Sequence, residues 1–338
     1  MQYTVKDDTI IFSHEYNEQI DSNLLSQYKK VIFSDFEYCD YLFEKYEFDP
    51  YLFNQYLLNS YLYDLINNPL IYKAGKFNKS VDNLPNTITY LYFNNDFNQS
   101  VNNLPNTLIY LNFGNNFNQS VDNLPDTITY LFFGMSFNQS VDKLPQTLTY
   151  LFFGMTFNQP VNKLPKALTH LFFGYRFGCN FNQPVDNLPN TLTHLSFSHC
   201  FNRSIEKLPN TLTHLIFGKD FNQQINLPLN IIYLHIDCNN QNLIDNLHNN
   251  IEKIEFGHNF NLELNDLPIS IKSISFNKLS NYNKELNCLP NFIELIKLPN
   301  NYNKKILKIP KKLKKFICSK EYMFIEDVDN LNVETYPK

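Results

Sequence analysis

The sequence predicts a β-rich repeat solenoid, in which short coils stack on one another around a continuous core. Two observations carry this prediction. A phenylalanine recurs at strict twenty-residue spacing, at Phe77, Phe97, Phe117, Phe137 and Phe157. A Leu-Pro pair keeps the same rhythm, with its proline eight residues after each phenylalanine. A unit of this length cannot bury an apolar face alone, so its copies must stack to be stable.

The repeat divides the chain into four parts. After one four-residue insertion the phenylalanine returns at Phe181, Phe201 and Phe221, and weaker copies continue from Phe260 to Tyr302. The predicted parts are an N-terminal capping region with one degenerate coil and a helix at 1–76, regular repeats at 77–236, degenerate repeats at 237–317, and a C-terminal cap or tail at 318–338.

The repeated unit, which reads FNQSVDNLPDTITYLFFG at residues 117–134, resembles the FNIP repeat. That repeat is a relative of the leucine-rich repeat, common in social amoebae and in giant viruses that infect amoebae. The resemblance is close over residues 77 to about 236 and loose to about 317. It implies a leucine-rich-repeat-like arc with a parallel sheet on its concave side, used for protein interaction. It does not imply a chemistry.

The N-terminal region is predicted to close the open end of the solenoid. The segment Tyr28–Phe36 resembles a strand of the repeat, with Val31 and Phe33 on one face, and indicates a worn first coil. Asp49-Pro50 is a helix start signal, and the helix that follows, Tyr51–Asn68, is apolar over more than half of its surface. Because a terminal coil needs a cover, we expect this helix to be a cap.

A second interpretation of residues 1–75 is an adaptor-binding region of a ubiquitin ligase. Many amoebal and viral proteins with these repeats carry an F-box, which would make this chain a substrate receptor. The Leu-Pro pair that usually opens an F-box is missing, and the chain has Asn23-Leu24-Leu25 instead. The alternative remains open.

Each unit contributes one short strand, whose side chains alternate between two faces. In one coil Leu151 and Phe153 are predicted to point inward and Tyr150 and Phe152 outward. The asparagine that follows each repeat phenylalanine is predicted to be structural, because a side-chain amide can satisfy both donors and acceptors of a turn.

The outward side chains are the predicted binding surface. They are unusually aromatic, and exposed apolar patches tend to mark interaction sites, where tyrosine is favoured. The alternative is that like rings form a ladder along the sheet and only add stability. The candidate partner-binding residues are Tyr90, Tyr92, Tyr110, Tyr130, Phe132, Tyr150, Phe152, His170, Phe172, His194 and His214.

Other features of the repeat allow more than one interpretation. His170, His194 and His214 should stand one strand apart, but no Cys, Asp or Glu column adjoins them, so we expect no metal site. The insertion Gly174–Phe181 would place Arg176 and Cys179 on a bulge, which is either a recognition loop or neutral slippage.

The lysine run from Lys304 to Lys315 reads as a solvated last coil that blocks edge pairing. Contact with nucleic acid or an anionic membrane, or nuclear import, remains the alternative.

Composition and missing motifs narrow the function. The net charge of −5 argues against a nucleic-acid binder. The six cysteines show no paired spacing, which favours reduced thiols. The chain has no secretory signal and no apolar stretch long enough to span a membrane, so we expect a cytoplasmic protein, in the host cytoplasm if the source is viral. No phosphate-binding loop, metalloprotease motif or nucleophile elbow occurs.

The sequence therefore predicts a non-enzymatic protein-interaction module that binds a protein partner through its concave aromatic face. We expect no catalytic residues, no cofactor, no metal, no nucleic acid or membrane partner, and a monomer. The alternatives are a ubiquitin-ligase substrate receptor, which would bind host ligase machinery, and a purely structural or decoy solenoid.

Overall fold

The computed structural model describes residues 3–13, 15–33, 75–174, 180–328 and 332–336. They fall into two compact units. The first unit comprises residues 1–168 and 173–179, and the second comprises residues 169–172 and 180–338.

The first unit begins with an antiparallel hairpin, after which every strand pairs in parallel with the next. The hairpin turns at Asp7, whose φ of 52° lies in the left-handed region that aspartate tolerates. The elements are β1 (Tyr3–Lys6), β2 (Thr9–Phe12), a single-turn helix α1 (Ser22–Leu25), β3 (Lys30–Phe33), β4 (Tyr90–Tyr92), β5 (Tyr110–Asn112), β6 (Tyr130–Phe132) and β7 (Tyr150–Phe153).

The second unit continues the same architecture, and its strands from β8 to β16 pair in parallel. Its elements are β8 (His170–Phe173), β9 (His194–Ser196), β10 (His214–Phe217), β11 (Tyr233–Ile236), the short helix α2 (Gln241–Asp245), β12 (Lys253–Phe256), β13 (Ser273–Phe276), β14 (Leu295–Lys297), β15 (Lys315–Cys318), a 3-10 helix (Ile325–Val328) and β16 (Asn332–Thr335).

Two columns of phenylalanine form the core of the first unit. The repeat phenylalanines stack from coil to coil at 6.0 Å between the ring centroids of Phe97 and Phe117, and each also packs on the ring that ends the preceding strand, as Phe113 does on Phe117 at 3.8 Å. These rings are buried. Burying one such side chain contributes about 1.5–3 kcal/mol of transfer free energy, so the stack supplies the main driving force for folding.

An asparagine ladder runs beside the phenylalanine core, as predicted. The Asn118 Oδ1 atom accepts from the backbone N–H of Asn138 at 2.9 Å and from Nε2 of Gln139 at 3.1 Å. The same backbone bond joins successive rungs in both units. Each amide therefore satisfies a donor that the turn would otherwise bury without a partner.

Glycine closes the coil at the end of the strand because the coils approach very closely there. A Cβ atom on Gly134 would lie 2.2 Å from the carbonyl oxygen of Gly114 in the preceding coil. No side chain fits at that distance.

The predicted first coil is present, with Val31 and Phe33 of β3 buried. The predicted helical cap is not supported. Its helix, Tyr51–Asn68, lies outside the described residues, and the described chain before residue 34 has a hairpin at this end, with α1 as its helix. The bulge predicted for Arg176 and Cys179 also lies outside the described residues.

Candidate interaction surfaces on the outer face of the sheet

The outer face is the side of the sheet opposite the phenylalanine core. Strand alternation places two side chains of each strand on it. In the first unit these form what we call the aromatic face, consisting of Tyr90, Tyr92, Tyr110, Tyr130, Phe132, Tyr150 and Phe152. The register aligns Tyr90 with Tyr110, and Tyr110 with Tyr130, so one row of rings is continuous, whereas Asn112 interrupts the second row between Tyr92 and Phe132.

Rings of the aromatic face pack against one another. Tyr110 lies 4.6 Å from Tyr92 and 5.1 Å from Phe132, measured between ring centroids, and Phe132 lies 5.2 Å from Tyr150. The interplanar angles in these pairs are 29–31°. Much of the flat surface of these rings is therefore covered by their neighbours.

This packing corrects the expectation of an exposed face. Tyr110, Phe132 and Tyr150 are buried, and Phe172 of the second unit is buried as well. Tyr90, Tyr92, Tyr130 and Phe152 are half-buried, as are the three histidines. The sequence indicated which side chains leave the core, but not how much of each ring meets solvent.

The aromatic face adjoins an aliphatic and basic border that the sequence analysis missed. Ile11 and Ile32 continue the outer row beyond Tyr92 and are buried against it. The Lys30 ammonium lies 5.4 Å from the centre of the Tyr90 ring, within the range of a cation–π contact. The sequence signal for this border is a run of three consecutive apolar residues in each of β2 and β3. Such a run indicates a strand that is buried on both faces.

A column of stacked histidines occupies the outer face of the second unit. The ring centroids of His170 and His194 are 4.2 Å apart and those of His194 and His214 are 4.1 Å apart, with interplanar angles of 15° and 13°. The ring of Tyr233 follows at 5.3 Å from His214. The sequence predicted this column, whereas the close stacking of its rings required the structure.

The histidine column does not present converging metal ligands. Its nearly parallel imidazoles direct their in-plane lone pairs side by side. No group of three or more metal-ligating side chains occurs among the residues that the structure describes.

A charged cluster that sequence analysis did not find lies next along this face. The Glu255 carboxylate accepts from the Tyr233 hydroxyl at 2.9 Å, pairs with the Lys253 ammonium at 3.0 Å, and has His235 Nδ1 at 4.0 Å. Burial raises the pKa of Glu255, but Lys253, His235 and the two hydrogen bonds outweigh it and hold that pKa below its ordinary value. The carboxylate is thus ionised at neutral pH and compensated by its neighbours.

Comparison of the sequence with models of known protein families identifies the repeat. The model of the FNIP Repeat family matches residues 77–116, 100–136, 117–156, 137–176, 157–200 and 201–239. Residues 77–239 are FNIP repeats. The FNIP solenoid is a leucine-rich-repeat-like fold with a parallel sheet, as the resemblance implied.

Comparison with solved structures gives the following matches. CroV588, a giant-virus protein described as a novel circular LRR protein structure, matches 95% of this chain with 31% sequence identity and a TM-score of 0.64. The chain spans 48% of that protein, about half of its length. The functional domain of InlJ from Listeria monocytogenes, described as including a cysteine ladder, matches 76% of this chain and 61% of that domain with 14% identity and a TM-score of 0.45.

Among curated proteins, none matches the chain. Across the described ranges, no helix has both the length and the apolar character that crossing a membrane requires.

Proposed function

We propose that the FNIP solenoid is a non-enzymatic protein-interaction module and that its partner binds the aromatic face of the first unit. Repeat solenoids that resemble leucine-rich-repeat proteins are typical of interaction modules, because their stacked coils present one continuous surface. The observation that carries the finer proposal is the double row of outward side chains on β4 to β7, which is aromatic at every position except Asn112.

Stacking and binding support each other on this surface. The contacts between rungs hold each ring in one orientation, so a partner that packs on the rows immobilises few further side chains. Less conformational entropy is lost on binding a surface that is already ordered. The half-buried tyrosines Tyr90, Tyr92 and Tyr130 each add a hydroxyl, a group that can both donate and accept.

The chemistry of the face narrows the kind of partner. None of its seven residues is charged, and much of the flat surface of its packed rings lies against neighbouring rings. A ligand that must stack on a ring face, such as a sugar ring, is therefore disfavoured. A polypeptide segment that packs along ring edges and exchanges hydrogen bonds with the phenol oxygens fits the surface better.

The test uses substitutions that the repeat itself tolerates. Asn112 occupies the outer row in β5 between Tyr92 and Phe132, so Tyr92→Asn with Phe152→Asn should fold. Met135→Asn, on the turn after β6, is a matched control away from the sheet face. Each chain would first be used to capture partners from amoebal cytosol, and the captured protein would then be purified and titrated directly.

We expect the double substitution to weaken direct binding by at least about thirtyfold, the loss typical of two central interface residues, and the control to leave it within about twofold. Equal affinity of all three chains would refute binding through the aromatic face.

The ubiquitin-ligase alternative makes a different prediction in the same experiment. It requires host ligase adaptors to bind through residues 1–75, of which 34–74 lie outside the described residues. A chain without residues 34–74 would lose those adaptors while the double substitution would keep them. Capture of no protein by any chain would favour a structural or decoy solenoid instead.

A further inference from the structure

The stacked histidine column can gain positive charge in acid, a property that neither the fold nor partner binding requires. Three imidazoles lie face to face at 4.1–4.2 Å along β8, β9 and β10. We propose that this column is an acid-sensitive switch, which keeps the coils of β8 to β10 closed at neutral pH and loosens them when its rings are protonated.

Hydrogen bonds fix where a proton would enter. Thr193 Oγ1 lies 2.9 Å from Nδ1 of His194, and its single hydrogen is directed to the carbonyl oxygen of Thr169 at 3.2 Å. The neighbouring rung repeats this arrangement with Thr213 and His214. A hydroxyl that already donates can only accept from the ring, so Nδ1 carries the hydrogen and Nε2 is left as the basic nitrogen.

Protonating neighbouring rungs is unfavourable because two cations would then lie about 4 Å apart in a partly buried site. The three histidines of the column face one another, and Tyr233, Lys253 and Glu255 follow them along the outer face. Besides burial, neighbouring histidines lower the pKa values of His170 and His194, and the Lys253 ammonium lowers the pKa of His214, so each of these neighbours opposes further positive charge. The Glu255 carboxylate is already engaged by Lys253 and Tyr233.

The direction of the pH effect follows from these surroundings. Burial, assisted by His214, lowers the pKa of His170 to about 4, and burial together with both neighbours lowers the pKa of His194 to about 3. In the unfolded chain both groups have a pKa near 6.5. A depressed pKa gives stability that is fully present above pH 6.5 and is lost as the pH falls toward 4.

The magnitude can be worked from the same values. At pH 5, each of these two histidines would raise the equilibrium constant for opening about thirtyfold relative to pH 8. Both rings retain some exposure, and solvent screens part of the effect. We therefore expect the pair to favour opening by about 10-fold to 100-fold, rather than by their full product of roughly 1000-fold.

Hydrogen exchange of the full chain tests the proposal, with peptides over β8 to β10 compared at pH 8 and pH 5 after correction for the intrinsic exchange rate. The variant H170Y/H194Y/H214Y should fold, because tyrosine fills the same column in β4 to β7 and at Tyr233. The exposed His258→Tyr substitution is the matched control.

We expect protection of β8 to β10 to fall by 10-fold to 100-fold at pH 5 in the natural chain and in the control, and by less than about threefold in the triple variant. Equal pH dependence in all three chains would overturn the proposal. If the triple variant does not fold, NMR titration of the histidines in the natural chain tests the proposal instead. A pKa near 6.5 for His170 or His194 would also overturn the proposal.

Discussion

The turn that follows β3 should form even when the long segment that the sequence inserts there, residues 34–76, is removed. The rings of Phe33 and Phe77 stack at 3.9 Å with an interplanar angle of 8°. The equivalent pair Phe93 and Phe97, only four residues apart in sequence, stacks at 3.7 Å and 6°. The chain thus leaves the coil after Phe33 and rejoins it at Phe77 in the geometry of an ordinary turn.

We predict that replacing residues 34–76 with the Gly-Asn-Asn of residues 114–116 leaves the solenoid folded. Shortening the connection from about forty residues to three lowers its closure entropy by an amount worth about 2 kcal/mol. The free energy of unfolding should therefore stay constant or rise by up to that amount. Urea denaturation followed by circular dichroism measures it, and the slope with denaturant reports on the surface exposed.

The control is the same tripeptide placed in a regular turn, in exchange for Gly134–Ser136, which should change stability by less than about 1 kcal/mol. A deletion variant that unfolds without cooperativity, or that loses more than about 2 kcal/mol, would refute the reasoning. That result would mean that the segment, not the coil, holds the turn closed.

Three further predictions concern the stacked columns. Asn118→Ala removes the acceptor of two hydrogen bonds from the next coil, and urea denaturation should show a loss of about 1–3 kcal/mol. Gly134→Ala puts a methyl group against the Gly114 carbonyl oxygen, and scanning calorimetry should show a loss of more than about 3 kcal/mol. Tyr282→Phe removes a buried hydroxyl that has no hydrogen-bond partner within the described part of the chain, so the thermal midpoint should stay constant or rise, by about 1 kcal/mol of stability at most.

Matched substitutions separate these effects from general sensitivity to mutation. Asn123→Ala removes an exposed amide of the same coil and should cost less than about 0.5 kcal/mol. Met135→Ala, next to Gly134, should be similarly mild. Equal losses for Asn118 and Asn123 would contradict the ladder, and a clear destabilisation by Tyr282→Phe would mean that its hydroxyl is satisfied.

The sequence predicted the regular coils well, because near-identical units of twenty residues can pair their strands in only one register. It missed the full extent of the first coil, although the signal was present. Tyr16-Asn17 stands four residues after Phe12, the spacing that separates the strand phenylalanine from the repeat phenylalanine elsewhere. The structure uses it in the same way, since Tyr16 stacks on Phe12 at 4.3 Å and Asn17 Oδ1 accepts from the N–H of Asn78 at 3.0 Å.

The outer face was only partly predictable. Alternation along the strand shows that Tyr110 and Tyr150 leave the core, but it does not show that both rings are buried on the outer face. The Glu255 cluster was harder to predict, because the coil that joins Tyr233 to Lys253 keeps the twenty-residue length but lacks the Leu-Pro pair of the repeat. The strand register shows that these residues are neighbours.

The asparagine ladder also bears on how such a chain can grow. Each rung presents the same acceptor upward and the same donor downward, so a duplicated coil inserted between two others satisfies both at once. A chain built this way can lengthen by gene duplication in single steps, each of which folds. A rung such as Lys253 with Glu255 lacks that freedom, because a duplicated coil would place a second Glu255 carboxylate directly beside the first in the strand register, where like charges are destabilising. Repeat number is therefore free to vary in the uniform coils and constrained in the specialised ones.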